Sequence, residues 1–271
     1  MRNAIRILAI LFLLIAIHPG YCDGGTLSGN VKTDAAKSKQ NQVVDSDNGS
    51  PVGGARVSIP GMGYNTNTDS DGRFDIDTDV KRKSIMSVEK EGYRPFSITI
   101  DETTSKKPLK LGISQSQSGD IVIESSLCHL GDDIYADTSA NAGEFKTKAV
   151  GPFYTNRFKC QRPKMNEDAI LIFGSIIGLD TKRAKELGQN KISQVYASPT
   201  EVYFNGNKIG ELHINGDNQE IMIPPQLITE DAEVTIKTGR NLFQQAYIDY
   251  DDMEFMNLRI ELRERPLSAG F

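Results

Sequence analysis

Short stretches of alternating apolar and polar residues recur along most of the chain. In Gly53 to Ile59, Ala55, Val57 and Ile59 fall on one face. Phe74 and Ile76 do so in Arg73 to Asp77, followed by Phe96, Ile98 and Ile100, and then Leu109, Leu111 and Ile113. Period two in pieces this short predicts half-buried antiparallel strands. Ala169 to Ile177 is nearly continuously apolar, which suits a strand covered on both faces. Glu201 to Phe204 and Ile209 to Ile214 flank Asn205-Gly206, a pair that tolerates positive φ and so predicts a hairpin. Glu220 to Ile223, Glu233 to Lys237 and Met256 to Leu262 complete the strands. Only Thr181 to Gln189 has a helical character. Strands every eight to twelve residues with turn clusters between them predict an all-β chain of two antiparallel β-sandwiches.

The predicted boundaries are a first sandwich over 24–114, a Ser/Gln-rich linker at 115–118, a second sandwich over 119–265 and a tail at 266–271. Residues 32–50 are polar and aperiodic and read as an inserted loop. The N-terminus differs from everything after it. Arg2 and Arg6 precede eleven apolar residues, Ile7 to Ile17, closed by His18, Pro19 and Gly20. That run is shorter than the ~20 residues of a membrane-spanning helix and fits a secretory signal over residues 1–22. The expectation is a secreted or periplasmic protein with no transmembrane segment. The alternative is a lipid anchor at Cys22, against which bulky Tyr21 precedes the cysteine.

Export changes the reading of the cysteines. Cleavage after Cys22 leaves Cys128 and Cys160, and two thiols in an oxidising compartment predict one disulfide. Such a bridge would contribute roughly 3–4 kcal/mol. The formal charge of −5 argues against a nucleic-acid partner.

Catalytic constellations are missing from the sequence. Phe173-Gly174-Ser175-Ile176-Ile177 lacks the closing glycine of a nucleophile elbow and lies in an apolar run. His129 and His213 stand in no zinc-peptidase motif. The reading is therefore of a chain that is not an enzyme.

Three motifs in the first half occur in a fixed order. They are Gly49-Ser-Pro-Val-Gly-Gly-Ala55, Thr66-Asn-Thr-Asp-Ser-Asp-Gly-Arg-Phe74 and Glu91-Gly-Tyr93. This order resembles the carboxypeptidase regulatory-like domain, a transthyretin-like sandwich. The resemblance implies a scaffold or spacer without peptidase activity. Asp69 to Gly72 reads as a tight turn. Position twelve counted from Asp69 is Val80, so an EF-hand loop is excluded.

In the second half, the Asn-Gly hairpin, Gly210, the Pro224-Pro225 loop and the strands around them resemble the galactose-binding-like jelly roll. That resemblance implies a binding module for carbohydrate or for a cell-surface protein. The alternative is a structural, adhesion or assembly component of the cell envelope that binds another protein, which the absence of Trp favours.

In a jelly roll the first and last strands run close together. Asp132 and Asp133 would then meet Asp249, Asp251, Asp252 and Glu254, and bunched carboxylates of this kind suit a structural calcium. A solvated acidic loop is the other reading of the same residues. Tyr135, Tyr154, Asn156, Arg240 and Asn241 lie in expected loops and are the candidate ligand contacts.

Overall fold

The computed structural model describes residues 41–190 and 194–265. The signal segment, Cys22, the start of the first domain from 24 to 40 and the tail lie outside them. The fold is all-β, as the alternation predicts.

The first strand overturns one expectation. Residues 32–50 read as a loop, yet Asn41–Asp45 is strand β1, at the centre of its sheet. Its alternation is hidden because Val43 and Val44 are both buried and its polar ends are buried too. Asn41 explains how a polar residue fits there. Its Nδ2 donates to the Phe74 carbonyl at 3.2 Å, and its Oδ1 accepts from Leu109 N at 3.0 Å.

The N-terminal sandwich continues with β2 (Arg56–Ile59), β3 (Tyr64–Asn67), β4 (Arg73–Phe74), β5 (Ser84–Glu89), β6 (Phe96–Ile100) and β7 (Lys110–Ile113). One sheet has the order β4-β1-β7, with β1 and β7 parallel; the other is β3-β2-β5-β6. Val43, Val57, Ile59, Met86 and Ile100 form the core between them. The Asp69–Gly72 turn is as expected: Asp69 Oδ1 accepts from Asp71 N and Arg73 N, and Gly72 has φ +71°.

The C-terminal sandwich begins with β8 (Ile121–Glu124), β9 (Cys128–Leu130), β10 (Phe153–Lys159) and β11 (Glu167–Ile177). A short helix α1 (Lys182–Glu186) follows, capped by Thr181, whose hydroxyl accepts from Ala184 N. Then come β12 (Thr200–Phe204), β13 (Asn207–Leu212), β14 (Gly216–Ile223), β15 (Asp231–Lys237) and β16 (Met253–Glu264). The sheets are β10-β15-β12-β13 and β14-β11-β16-β8, with β9 also pairing β16. The β12–β13 hairpin turns on Asn205 (φ +47°) and Gly206 (φ +76°).

Both faces of β11 are covered. One packs into the core with Phe204, Val234 and Phe255, and the other meets the N-terminal sandwich. At Gly174 a Cβ would stand 2.6 Å from Ser97 Oγ, so this contact has no room for a side chain. Asp217 crosses the same boundary and accepts from Thr99 N at 2.9 Å and from Ser175 Oγ at 2.7 Å. The segment at 115–118 is also pinned. Gln115 donates to Asp45, Ser116 N donates to the Gly92 carbonyl, and nearby Arg94 holds Asp120 through two bonds of 2.7 and 3.1 Å.

The expected disulfide is not formed. Cys128 and Cys160 are free thiols, both buried in the apolar core of the C-terminal sandwich. Each fills its place as a small hydrophobe. Burial pushes the Cys128 thiol up to about 12, so it is not a ready nucleophile.

Candidate functional site

The antiparallel pairing of β11 with β16 aligns Ile177 with Glu254. Carried three residues past the end of β11, that register brings Asp180 to Asp251. Asp180 N donates to Asp251 Oδ2 at 3.0 Å. Asp180, Asp251 and Asp252 are each 0 % exposed. The loop after β9 approaches the same place from another side, since Asp133 N donates to Asp252 Oδ1 at 3.0 Å. Gly131 makes that approach possible: with φ +149°, its Cβ would lie 2.1 Å from Asp252 Oδ1.

The carboxylates that meet here divide into two groups. The first have protein donors. Asp132 accepts from Ile134 N at 3.1 Å and Tyr250 N at 2.8 Å. Asp133 accepts from Ala149 N and from the Tyr135 hydroxyl. Asp249 accepts from Ser139 Oγ at 3.2 Å and Asn241 Nδ2 at 2.8 Å. These three brace the loops. The second group has oxygens without a well-formed hydrogen bond: both of Asp180, which has only the Asn190 carboxamide near it, Oδ1 of Asp251 and Oδ2 of Asp252.

Buried polar atoms are nearly always hydrogen-bonded, so four orphaned carboxylate oxygens in one place call for a counter-charge or protons. Burial pushes Asp180 up to about 8, with the charge of Asp252 adding to the effect and the Asn190 carboxamide opposing it. Asp251 is also raised, by burial first and then by the charges of Asp180, Asp252 and Asp249.

His129 is the cation already present. Its Nε2 meets Asp252 Oδ1 at 3.0 Å and its Nδ1 meets the Thr147 carbonyl at 2.5 Å. Both ring nitrogens face oxygen atoms, an arrangement that favours the imidazolium. Burial opposes that charge, but the bonds to Asp252 and Thr147 outweigh it, and the histidine's pKa is raised. His129, Asp133 and Asp252 have ligand atoms within 4.8 Å of one another. In the protonated state that its raised pKa favours, His129 holds this trio together as an ion pair. Asp180, Asp251 and Asp252 offer oxygen alone, the ligand type a hard cation takes, although among the described residues their carboxylates are not drawn within 4.8 Å of one another as that trio is.

Glu254, expected in the same cluster, interacts with the charge of His129 and also lines a cleft with Gly61, Met62 and Phe145. Burial pushes it up to about 7.

The expected ligand contacts have structural partners of their own. Tyr154 stacks edge-on against Phe255 at 5.3 Å, and Asn156 Nδ2 donates to the Ile123 carbonyl and to the Tyr154 hydroxyl. Asn241 ties Asp249 to the Thr138 carbonyl and caps the next turn by accepting from Phe243 N. Tyr135 donates to Asp133 and accepts from Phe145 N. Arg240 is exposed, and its backbone bridges Tyr250.

Between Arg240 and Tyr250 the sequence reading missed a feature. Leu242, Phe243, Tyr247 and Ile248 are 51, 54, 47 and 57 % exposed, while Asn241 and Asp249 beside them are buried. Tyr196 packs edge-on against Phe243 at 4.9 Å. The signal was in the sequence: four large apolar residues in a segment without strand alternation.

Among the described residues, no helix is long and apolar enough to cross a membrane. No curated protein matches the chain. Residues 41–123 match the family model described as CarboxypepD_reg-like domain, which supports that assignment for the N-terminal sandwich, a regulatory or binding fold rather than a catalytic one. The match stops short of most of the C-terminal sandwich, whose likeness to the galactose-binding-like jelly roll stays an expectation.

Proposed function

We propose that the chain is a non-catalytic, exported recognition module that docks on another protein through the loop between Arg240 and Tyr250. The observation that carries this reading is the exposure of Leu242, Phe243, Tyr247 and Ile248 together, on a loop whose two ends are buried and hydrogen-bonded. Contiguous exposed apolar side chains mark interaction surfaces, and a fixed base lowers the ordering cost of binding. A glycan partner at this end would need ring-facing groups, whereas Tyr154 and Asn156 are held in contacts within the sandwich.

The same reading includes a calcium ion beneath the loop. Asp180, Asp251 and Asp252 would hold it, because their orphaned oxygens match its preference for oxygen ligands. The ion would supply the missing counter-charge. Asp249 and Asp132, bonded to the loop ends, carry the support from this centre to the exposed side chains.

A photo-crosslinking residue in place of Phe243, applied with purified chain to intact cells, tests the docking reading. The expected result is a covalent adduct with a protein, lost when the cells are first stripped with protease and when Leu242 and Ile248 are changed to Ser. An adduct that survives stripping, or labelling indifferent to those changes, would refute it.

A further inference from the structure

Strand β10 ends its sheet, and all seven of its residues pair with β15 on the inner side. Thr238 N donates to the Pro152 carbonyl at 3.0 Å, and Cys160 N donates to the Glu230 carbonyl at 2.8 Å. Hydrogen-bonded positions alternate along an antiparallel pair, so the even-numbered residues bond to β15. The N–H and C=O groups of Phe153, Thr155, Arg157 and Lys159 therefore point away from the sheet. Among the described residues they bond to no other backbone group.

The other long edge is covered. β14 packs against β6 and β13, and its Asp217 accepts from Thr99 N of β6. β8 has four residues and a break in its register against β16. β10 runs without proline or bulge. Such an edge is a template for another strand unless charge repels the newcomer. Here the edge charges are neutralised from directly across on β15: Arg157 by Glu233 at 2.7 Å and Lys159 by Asp231 at 2.7 Å. Thr155 Oγ1 likewise meets Thr235 Oγ1 at 3.0 Å. Phe153 is the uncovered member, 52 % exposed, with Tyr250 edge-on to it at 6.2 Å.

This edge is complementary to itself. Antiparallel pairing with β10 of a second copy, about a two-fold axis at Asn156, sets Phe153 opposite Lys159 and Thr155 opposite Arg157. All four outward residues then fall in hydrogen-bonded pairs. An axis at Thr155 would leave Lys159 facing Gly151 beyond the strand, and an axis at Arg157 would oppose two guanidinium groups. With its ammonium held by Asp231 and Glu230, Lys159 lays its alkyl stem against the other copy's Phe153.

We propose that two copies of the chain join edge to edge through β10, with Asn156 on the two-fold axis, so that their four-stranded sheets become one. The inference stands independently of the docking loop.

Sedimentation equilibrium of the purified mature chain, from low to high micromolar concentration, tests it, and a monomer–dimer equilibrium is expected. Thr155→Pro removes an outward N–H and sets a ring in the second strand's path, while the ladder to β15 keeps its bonds. It should weaken the dimer at least tenfold in a chain that thermal melting shows to be folded. Thr155→Ala, which keeps the backbone donor, should dimerise as the parent does. Register is read by mixing Thr155→Cys chains with Arg157→Cys chains under mild oxidation. The mixed disulfide should exceed either homodimeric one, since Cα atoms of a hydrogen-bonded pair lie about 5.5 Å apart. A monomer at every concentration, an undiminished dimer in folded Thr155→Pro chain, or homodimeric disulfides in excess of the mixed one would overturn the proposal.

Discussion

The two sandwiches handle buried polar groups in opposite ways. In the N-terminal sandwich, Asn41 and Thr68 each satisfy two backbone groups, Thr68 by accepting from Ala55 N and donating to the Val52 carbonyl. Its one orphaned side-chain atom among the described residues is Ser97 Oγ, at the contact with the other sandwich. The C-terminal sandwich leaves Asp180, Asp251, Asp252, Asn190 and Glu254 with unpartnered atoms. The first pattern is that of a scaffold, in which polar residues replace ladder bonds that strands cannot make. The second leaves buried polar atoms that no group among the described residues satisfies.

Substitutions should separate these patterns. Asn41→Ala leaves two buried backbone groups without partners and should lower stability by roughly 2–3 kcal/mol, equally with calcium or chelator, as read by urea unfolding. Asp180→Asn removes a charge from an uncompensated acidic centre. In chelator at pH 8 it should stabilise by about 1 kcal/mol, and the gain should vanish below about pH 3, where Asp180 is protonated in both states. A loss of stability at pH 8 would mean that the Asp180 carboxylate has a protein partner after all. The smallest effect concerns Cys128 and Cys160. As free thiols they predict a melting temperature unmoved by reductant, whereas a disulfide would contribute roughly 3–4 kcal/mol.

Much of this arrangement was legible in the sequence, and the remainder has physical reasons for being hidden. Strands with one wet face, such as Lys110–Ile113 and Asp231–Lys237, showed their period. Ser84–Glu89 did not, because its four central residues are all buried, with the other sheet on one side and the second sandwich on the other. Phe153–Lys159 was missed for the opposite reason: it is an edge strand with no fully buried residue. In the acidic centre, Asp251 and Asp252 stood out as part of an acidic run. Asp180 stands alone between Leu179 and Thr181, and only the register of β11 against β16 brings it to Asp251. An aspartate directly after a strand buried on both faces was the available clue. Glu254, two residues on from Asp252, lines a cleft beside Met62 and Phe145 and reaches the acidic centre only through the charge of His129.

Melting with calcium or chelator at two pH values tests the proposed calcium site at Asp180, Asp251 and Asp252 most directly. Asp180 has a folded pKa near 8 against an ordinary 3.8, so the folded chain holds the proton more tightly. Its contribution to stability is complete below about pH 4 and is lost as pH rises towards 8. Calcium binds the ionised form and competes with that proton. The account predicts that millimolar calcium raises the melting temperature clearly at pH 8 and hardly at pH 5, and that Asp180→Asn and Asp251→Asn each weaken the rise. Identical melting with calcium and with chelator at pH 8 would contradict it and would assign these aspartates to a proton-sharing core.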